Sequence, residues 1–290
     1  MGLRLKFNLV LLAVFVTGLG VTGYVSYELL HKNARDEVLR NAGVMLEASL
    51  SMRQYTIGRV RPLLPYDADK FLPESVPAFA ATEIMSLLRK KYPDYAYKEA
   101  TLNPTNPRDR AVDWEADIVN AFRNEAARGD ISGIRGTPTG RSLYLARPLQ
   151  IKDQACLACH TTAEMAPPAM VKLYGPSNGF GWKMNEIIGA QIVSVPMDLP
   201  IRNANRAFVT FMSSLAAVFA ALFVTLNVML TLLIVEPITR LSHAAEQISK
   251  GRLDAAEIPE TGRDEVSQLG QAFNRMRRSL EKAIHLIDKG

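Results

Sequence analysis

Two stretches without a single charged residue, Phe7 to Tyr27 and Ala207 to Val235, constrain this 290-residue chain more than any other feature. Each is long enough to cross a bilayer as a helix, which needs about 20 apolar residues. A basic start, Arg4 and Lys6, precedes the first stretch, and Arg240, Lys250 and Arg252 follow the second. By the positive-inside bias both ends belong in the cytoplasm and residues 31–206 face outward. A cleaved signal peptide is the alternative for the first stretch. Its length and its continuation through Glu28, Leu29 and Leu30 favour an uncleaved anchor. The expected division is therefore a transmembrane helix over 1–30, an extracytoplasmic domain over 31–206, a second transmembrane helix over 207–235 and a cytoplasmic segment over 236–290. The net charge of +5 is dispersed among acids, with no basic run interleaved with aromatics, so nucleic acid is not an expected partner.

After the second stretch the apolar positions Ile238, Leu241, Ala245 and Ile248 follow a 3-4-3 spacing, one seam of a helix that stops at Lys250-Gly251. A connector with Leu253 and Ile258 as apolar anchors and Pro259 and Gly262 as breakers leads to a second seam: Val266, Leu269, Phe273, Met276, Leu280, Ala283 and Ile287. Two such helices cannot bury their seams alone. A parallel four-helix bundle made by a homodimer is the expected solution. The Pro just past the membrane helix, Gly251-Arg252-Leu253-Asp254, Asp264-Glu265-Val266 and Phe273-Asn274-x-Met276 resemble the HAMP domain of sensor kinases and chemoreceptors over 236 to about 283. The resemblance implies a relay in which a shift outside the membrane alters packing inside.

Only two cysteines occur, Cys156 and Cys159, and with His160 they form C-x-x-C-H, the pattern of c-type haem attachment. Two thiols three apart can add across the vinyl groups of one porphyrin edge, and the next residue places an imidazole under the iron, making His160 the proximal ligand. A thioredoxin-like pair would open a helix in a βαβ unit, whereas Arg147 to Ile151 reads as a strand leading into a loop. A zinc site would lack its fourth ligand. A disulfide across this gap would staple very little chain.

The outer segment reads as α+β. A long helix from Ala34 to about Val60 places Val38, Met45, Ala48, Met52 and Tyr55 on one face. A loop with Pro65, Pro73 and Pro77 leads to a helix at Ala78–Lys91, strands at 95–100, 131–135, 142–149 and 190–196, and a further helix at Trp114–Ala127. The expected fold is a PAS-like antiparallel sheet with flanking helices. Asn103-Pro104-Thr105-Asn106-Pro107, Trp114-Glu115, the segment from Arg147 to His160, Tyr174-Gly175, Asn178-Gly179-Phe180-Gly181-Trp182 and the strand ending at Pro196 resemble the PAS-like c-type-haem sensor family, often joined to HAMP domains. The resemblance implies covalent haem and a redox or gas-sensing role, and carries its motif onto Cys156, Cys159 and His160. That family can take a distal cysteine from the N-terminal helix, and this chain has none. Met52 is the candidate distal ligand, with Met45 and then Tyr55 behind it. Core packing of the methionines and an open or water-filled sixth position are the alternatives. His31 lies close to the bilayer.

The functional expectation is a sensor subunit of the bacterial inner membrane, with no catalytic residues of its own. No nucleotide loop, kinase signature or catalytic carboxylate pair follows the relay before Gly290, so output is expected from a separate kinase or chemotaxis-type protein. The alternative is a membrane-anchored c-type cytochrome that only transfers electrons. A peroxidase-like enzyme would need a second histidine outside the membrane to act as distal acid/base.

Overall fold

The computed structural model describes residues 2–64, 70–125, 129–252, 257–259, 262 and 264–287. Pro65, Ala127, Leu253 and Asp254, on which sequence expectations rest, lie outside the described residues, as do the side chain of Ile287 and residues 288–290. The chain divides into two compact units, Tyr27–Ala207 and a second made of Met1–Ser26 with Phe208–Gly290.

The first unit is built on a four-stranded, wholly antiparallel sheet of order β1-β4-β3-β2, with β1 at Ala96–Thr101, β2 at Ile131–Thr137, β3 at Gly140–Gln150 and β4 at Ile187–Pro196. Strand β4 is central and buried along nearly all its length. Alternation assigns its faces. Val193 and Val195, with Leu143 and Leu145 of β3, face helix α1 (Leu3–Tyr55) through Val38, Ala42 and Leu46. Ala190 and Ile192, with Ala100 and Ala146, face helix α3 (Asp113–Asn124) through Ile118, Val119 and Phe122. Helix α2 (Pro77–Lys91) precedes β1, and the short helices α4 (Leu157–His160) and α5 (Pro168–Tyr174) lie in the connection from β3 to β4. Pro148 lies inside β3, but the pairing with β2 ends at Ala146, so its missing N–H leaves no gap in that ladder.

Helix α1 differs in one respect from its sequence reading. The stripe packed into the core is Ala34, Val38, Ala42, Leu46 and Ser49, whereas Ala48, Met52 and Tyr55 lie on the adjacent stripe. Of the residues assigned to one face, only Val38 is buried in the core and Met45 packs against it. Small residues at 34, 42 and 49 let the helix approach the sheet, so the bulkier stripe is displaced sideways. The α-helix passes through a π turn at Thr56–Val60 and a 3₁₀ turn at Arg61–Leu63, where Pro62 ends it.

In the second unit, α1 and helix α6 (Asp198–Leu230) are long and apolar enough to cross a membrane. They touch where Gly18 and Phe15 meet Phe219, whose ring stacks on that of Phe15 at 4.8 Å, and Arg4 donates to the Thr231 hydroxyl. A π turn at Thr231–Val235 joins α6 to helix α7 (Glu236–Ser249), and helix α8 spans Glu265–Ile287. Asp264 caps α8 by accepting from the Ser267 N–H at 2.7 Å. Asn274 holds the connector with both ends of its amide, accepting from the Ile258 N–H at 3.2 Å and donating to its carbonyl at 2.8 Å. The packed side of α8 is therefore Gly270, Asn274 and Arg277, and the apolar seam points elsewhere: Leu269, Met276 and Leu280 are exposed.

Candidate haem-attachment site

Strand β3 ends at Gln150, and the long connection to β4 is pinned at its base. The Ile151 N–H donates to the Glu186 carbonyl at 2.9 Å and the Asn185 N–H to the Ile151 carbonyl at 2.8 Å. Asp153 then accepts from the Ala155 N–H at 2.9 Å and starts a 3₁₀ turn, Gln154–Cys156, which runs into the single-turn helix α4, Leu157–His160. On such a turn residues three apart face the same way, so Cys156 and Cys159 form one edge. Both are free, half-buried thiols. Burial pushes each of them up, reinforced at Cys156 by the Asp153 carboxylate. The motif sits between two antiparallel strands rather than at the head of a βαβ unit, so the thioredoxin-like reading fails on topology.

The imidazole of His160 is held on three sides. Its Nδ1 donates to the Gly179 carbonyl at 2.7 Å, with the Thr105 hydroxyl at 3.3 Å, and its ring stacks on Trp182 with centroids 3.9 Å apart and planes 15° from parallel. A carbonyl only accepts, so the proton belongs on Nδ1 and the Nε2 lone pair is left for a metal. Burial pushes the imidazole down in pKa, against the opposing effect of the Gly179 bond, so the ring is neutral, as a ligand must be.

The loop that supplies Gly179 is itself bonded back to the motif. The Gly181 N–H donates to the Thr161 carbonyl at 2.9 Å and the Trp182 N–H to the His160 carbonyl at 3.2 Å. Gly179 has φ +84°, and a Cβ there would fall on the Thr105 hydroxyl and 2.7 Å from the Thr105 Cα, so only glycine fits. Asn103, Thr105, Gly179 and Trp182 belong to motifs that the sequence resemblance quotes without assigning them a role. Thr105, Gly179 and Trp182 contact His160 and Asn103 bonds to the Gly179 loop, which their separation from His160 in the chain hides.

A cavity of about 770 Å³ lies along α1, lined by Met52, Tyr55, Val60, Phe79 and Ile84 with Glu74 and Glu83. That volume is within the range of small-molecule and cofactor pockets, and the lining is mostly apolar. Arg53 and Arg61, next in sequence to cavity residues Met52 and Val60, carry charges that oppose the upward push of burial on the Cys156 thiol. Met52 thus lines a cavity, as does the exposed Tyr55, while Met45 is turned toward the sheet. His31 bonds to the Tyr27 carbonyl of its own helix at 2.9 Å, and its ring lies tilted against the Tyr27 ring. Two thiols on one edge, a neutral imidazole with Nε2 free and an apolar cavity are a donor set that fits haem. Among the described residues no cluster of three or more His, Cys, Asp or Glu is built to hold a bare metal ion.

Residues 31–196 match the Tll0287-like family, and residues 229–282 match the HAMP domain. The chain therefore belongs to the Tll0287-like family, with a HAMP domain following. The crystal structure of the cyanobacterial haem protein Tll0287 is similar at 17% identity over 55% of this chain and 95% of that one, with a TM-score of 0.44. No curated protein matches.

Proposed function

We propose that this chain is a haem-c sensor subunit of the bacterial inner membrane that transduces a redox or diatomic-gas signal through its HAMP relay and has no enzymatic activity of its own. The observation that carries the reading is the bond from His160 Nδ1 to the Gly179 carbonyl, which leaves Nε2 free beside two thiols on one edge. Cys156 and Cys159 hold the haem covalently and His160 is the proximal ligand. A haem held there would supply redox and gas-binding chemistry, and Met52, on the cavity wall, is the candidate distal ligand.

The division into a first span over 1–30, an extracytoplasmic domain over 31–206, a second span over 207–235 and a cytoplasmic relay over 236–290 follows from the charge-free stretches and their basic flanks. The exposed seam of Leu269, Met276 and Leu280 supports a homodimer, since a parallel bundle would bury it. Output then passes to a separate kinase or chemotaxis-type protein. Denaturing gels stained for haem test the attachment, with the lipid-embedded full chain made in a host that matures c-type cytochromes. A stained band near 32.1 kDa is expected, lost when Cys156 and Cys159 are both replaced by Ser. A colourless parent band overturns the reading.

A further inference from the structure

We propose that Asn103 is a positioning residue for the iron ligand: from outside the motif its carboxamide sets the strength of the bond between His160 and the iron. The inference rests on the haem reading above and goes beyond it, since Asn103 touches neither His160 nor the cysteines. Its Oδ1 accepts from the Gly179 N–H at 3.2 Å and its Nδ2 donates to the Phe180 carbonyl at 3.1 Å. One planar amide thus bridges the two peptide units that flank the 179–180 peptide of the glycine loop. It holds the plane of the intervening peptide, whose carbonyl, that of Gly179, is the acceptor for His160 Nδ1 at 2.7 Å.

The loop has little other freedom. Its backbone rests against Thr105 without room for a Cβ, and residues 181 and 182 are bonded to Thr161 and His160. Only a side chain with one donor and one acceptor on the same short stem matches both peptide groups, and Asn is the residue that supplies it. A partner that accepts from the far nitrogen of a ligating imidazole fixes the ring and raises its basicity. Releasing the Gly179 carbonyl therefore makes His160 a weaker donor, which lowers its hold on iron and favours the reduced state.

The test uses the full-length haem-loaded protein and the variants Asn103→Ala and Asn103→Asp; the second keeps the acceptor for Gly179 but turns a carboxylate oxygen toward the Phe180 carbonyl. Vibrational spectra of the reduced protein, taken after photolysis of bound carbon monoxide, report the iron–histidine stretch, and redox titration reports the midpoint potential. In both variants the stretch is expected to move to lower frequency, and in Asn103→Ala the potential to rise, with haem staining intact. Arg110→Ala, which removes the 3.1 Å bond to the Asn178 side chain in the same loop, is the control and should leave both readouts at the parent values.

Parent-like stretch and potential in the Asn103 variants overturn the proposal, as does an equal shift in Arg110→Ala, which would mark general loosening of the loop. If Asn103→Ala does not accumulate, Asn103→Asp decides alone. Absence of haem from the parent is a separate result, and it would sink the haem reading itself.

Discussion

Arg53 reaches from α1 to Glu99 on β1, a carboxylate only 3% exposed, and the Tyr97 hydroxyl donates to the same carboxylate at 2.8 Å. Gln191 of β4 completes the chain with a bond to the Tyr97 oxygen at 3.3 Å. Burial, and then the adjacent Glu99, push Tyr97 far above the usual phenol range, so it stays a donor. Breaking one side of a buried pair strands the other charge, which costs about 3–5 kcal/mol. Arg53→Ala should lower unfolding free energy by about 3 kcal/mol, the lower end because Tyr97 still donates; a loss below about 1 kcal/mol in denaturant titration would mean the pair behaves as an exposed one. Asp109 gives a second residue-level test. Burial raises it to about 6, with Glu99 adding and Arg108 and Lys98 opposing. A carboxyl with its folded pKa above its unfolded value keeps its proton in the folded chain while the unfolded chain loses it. Stability therefore falls as pH rises from about 4 to about 6, and the penalty persists above that window. Asp109→Asn should flatten this slope and raise stability at pH 7 by up to about 3 kcal/mol; equal melting temperatures at pH 7 would refute the burial argument. Neither residue stands out in the sequence. Cys156, Cys159 and His160 do, because their chemistry is contiguous, whereas Asn103 and Arg53 act across 76 and 46 positions.

At the scale of elements, local pattern carries most of the information. The strands expected at 95–100, 131–135, 142–149 and 190–196 all occur, each displaced or extended by a few residues, because ladder pairing rather than propensity sets strand ends. Strand β4 begins at Ile187, paired with Gln150 across a register shift that no sequence pattern marks. Helix α3 stops at Asn124, short of the expected end. On α1 two neighbouring stripes are both compatible with burial, and only the packing of Val38, Ala42 and Leu46 against β3 and β4 decides between them. In α8 the heptad seam and the packed side likewise differ. Asn274, read as part of a motif, turns out to hold the connector at Ile258, which explains why an amide occurs beside Phe273. Leu269, Met276 and Leu280 of the seam stay exposed in the single chain, so the apolar spacing is legible in the sequence while what covers it is not.

The sensor unit gathers both long helices into one core. Val38, Ala42 and Leu46 of α1 share a cluster with Val193 and Val195 of β4 and with Met197, against which Ile201 of α6 packs. Helix α1 also carries Met52 along the cavity and Arg53, whose charge acts on the Cys156 thiol, and it runs without interruption from Leu3 to Tyr55. Two connected helices that share a core respond together when one is displaced, because packed interiors change arrangement rather than deform continuously. On the proposed reading an event at the haem iron changes the packing of the relay, with a coupling of about 1–3 kcal/mol typical of such systems. Leu269→Cys places a thiol on the exposed seam of α8, where a parallel homodimer brings it against its twin. The measurement is the rate of disulfide formation at that position in membranes, with the haem oxidised, reduced and carbon-monoxide-bound. The rate is expected to change with the state of the haem, and His160→Ala to abolish the change while cross-linking persists. Equal rates in all three states would contradict that reading and leave a membrane-anchored cytochrome whose tail only clamps two chains together.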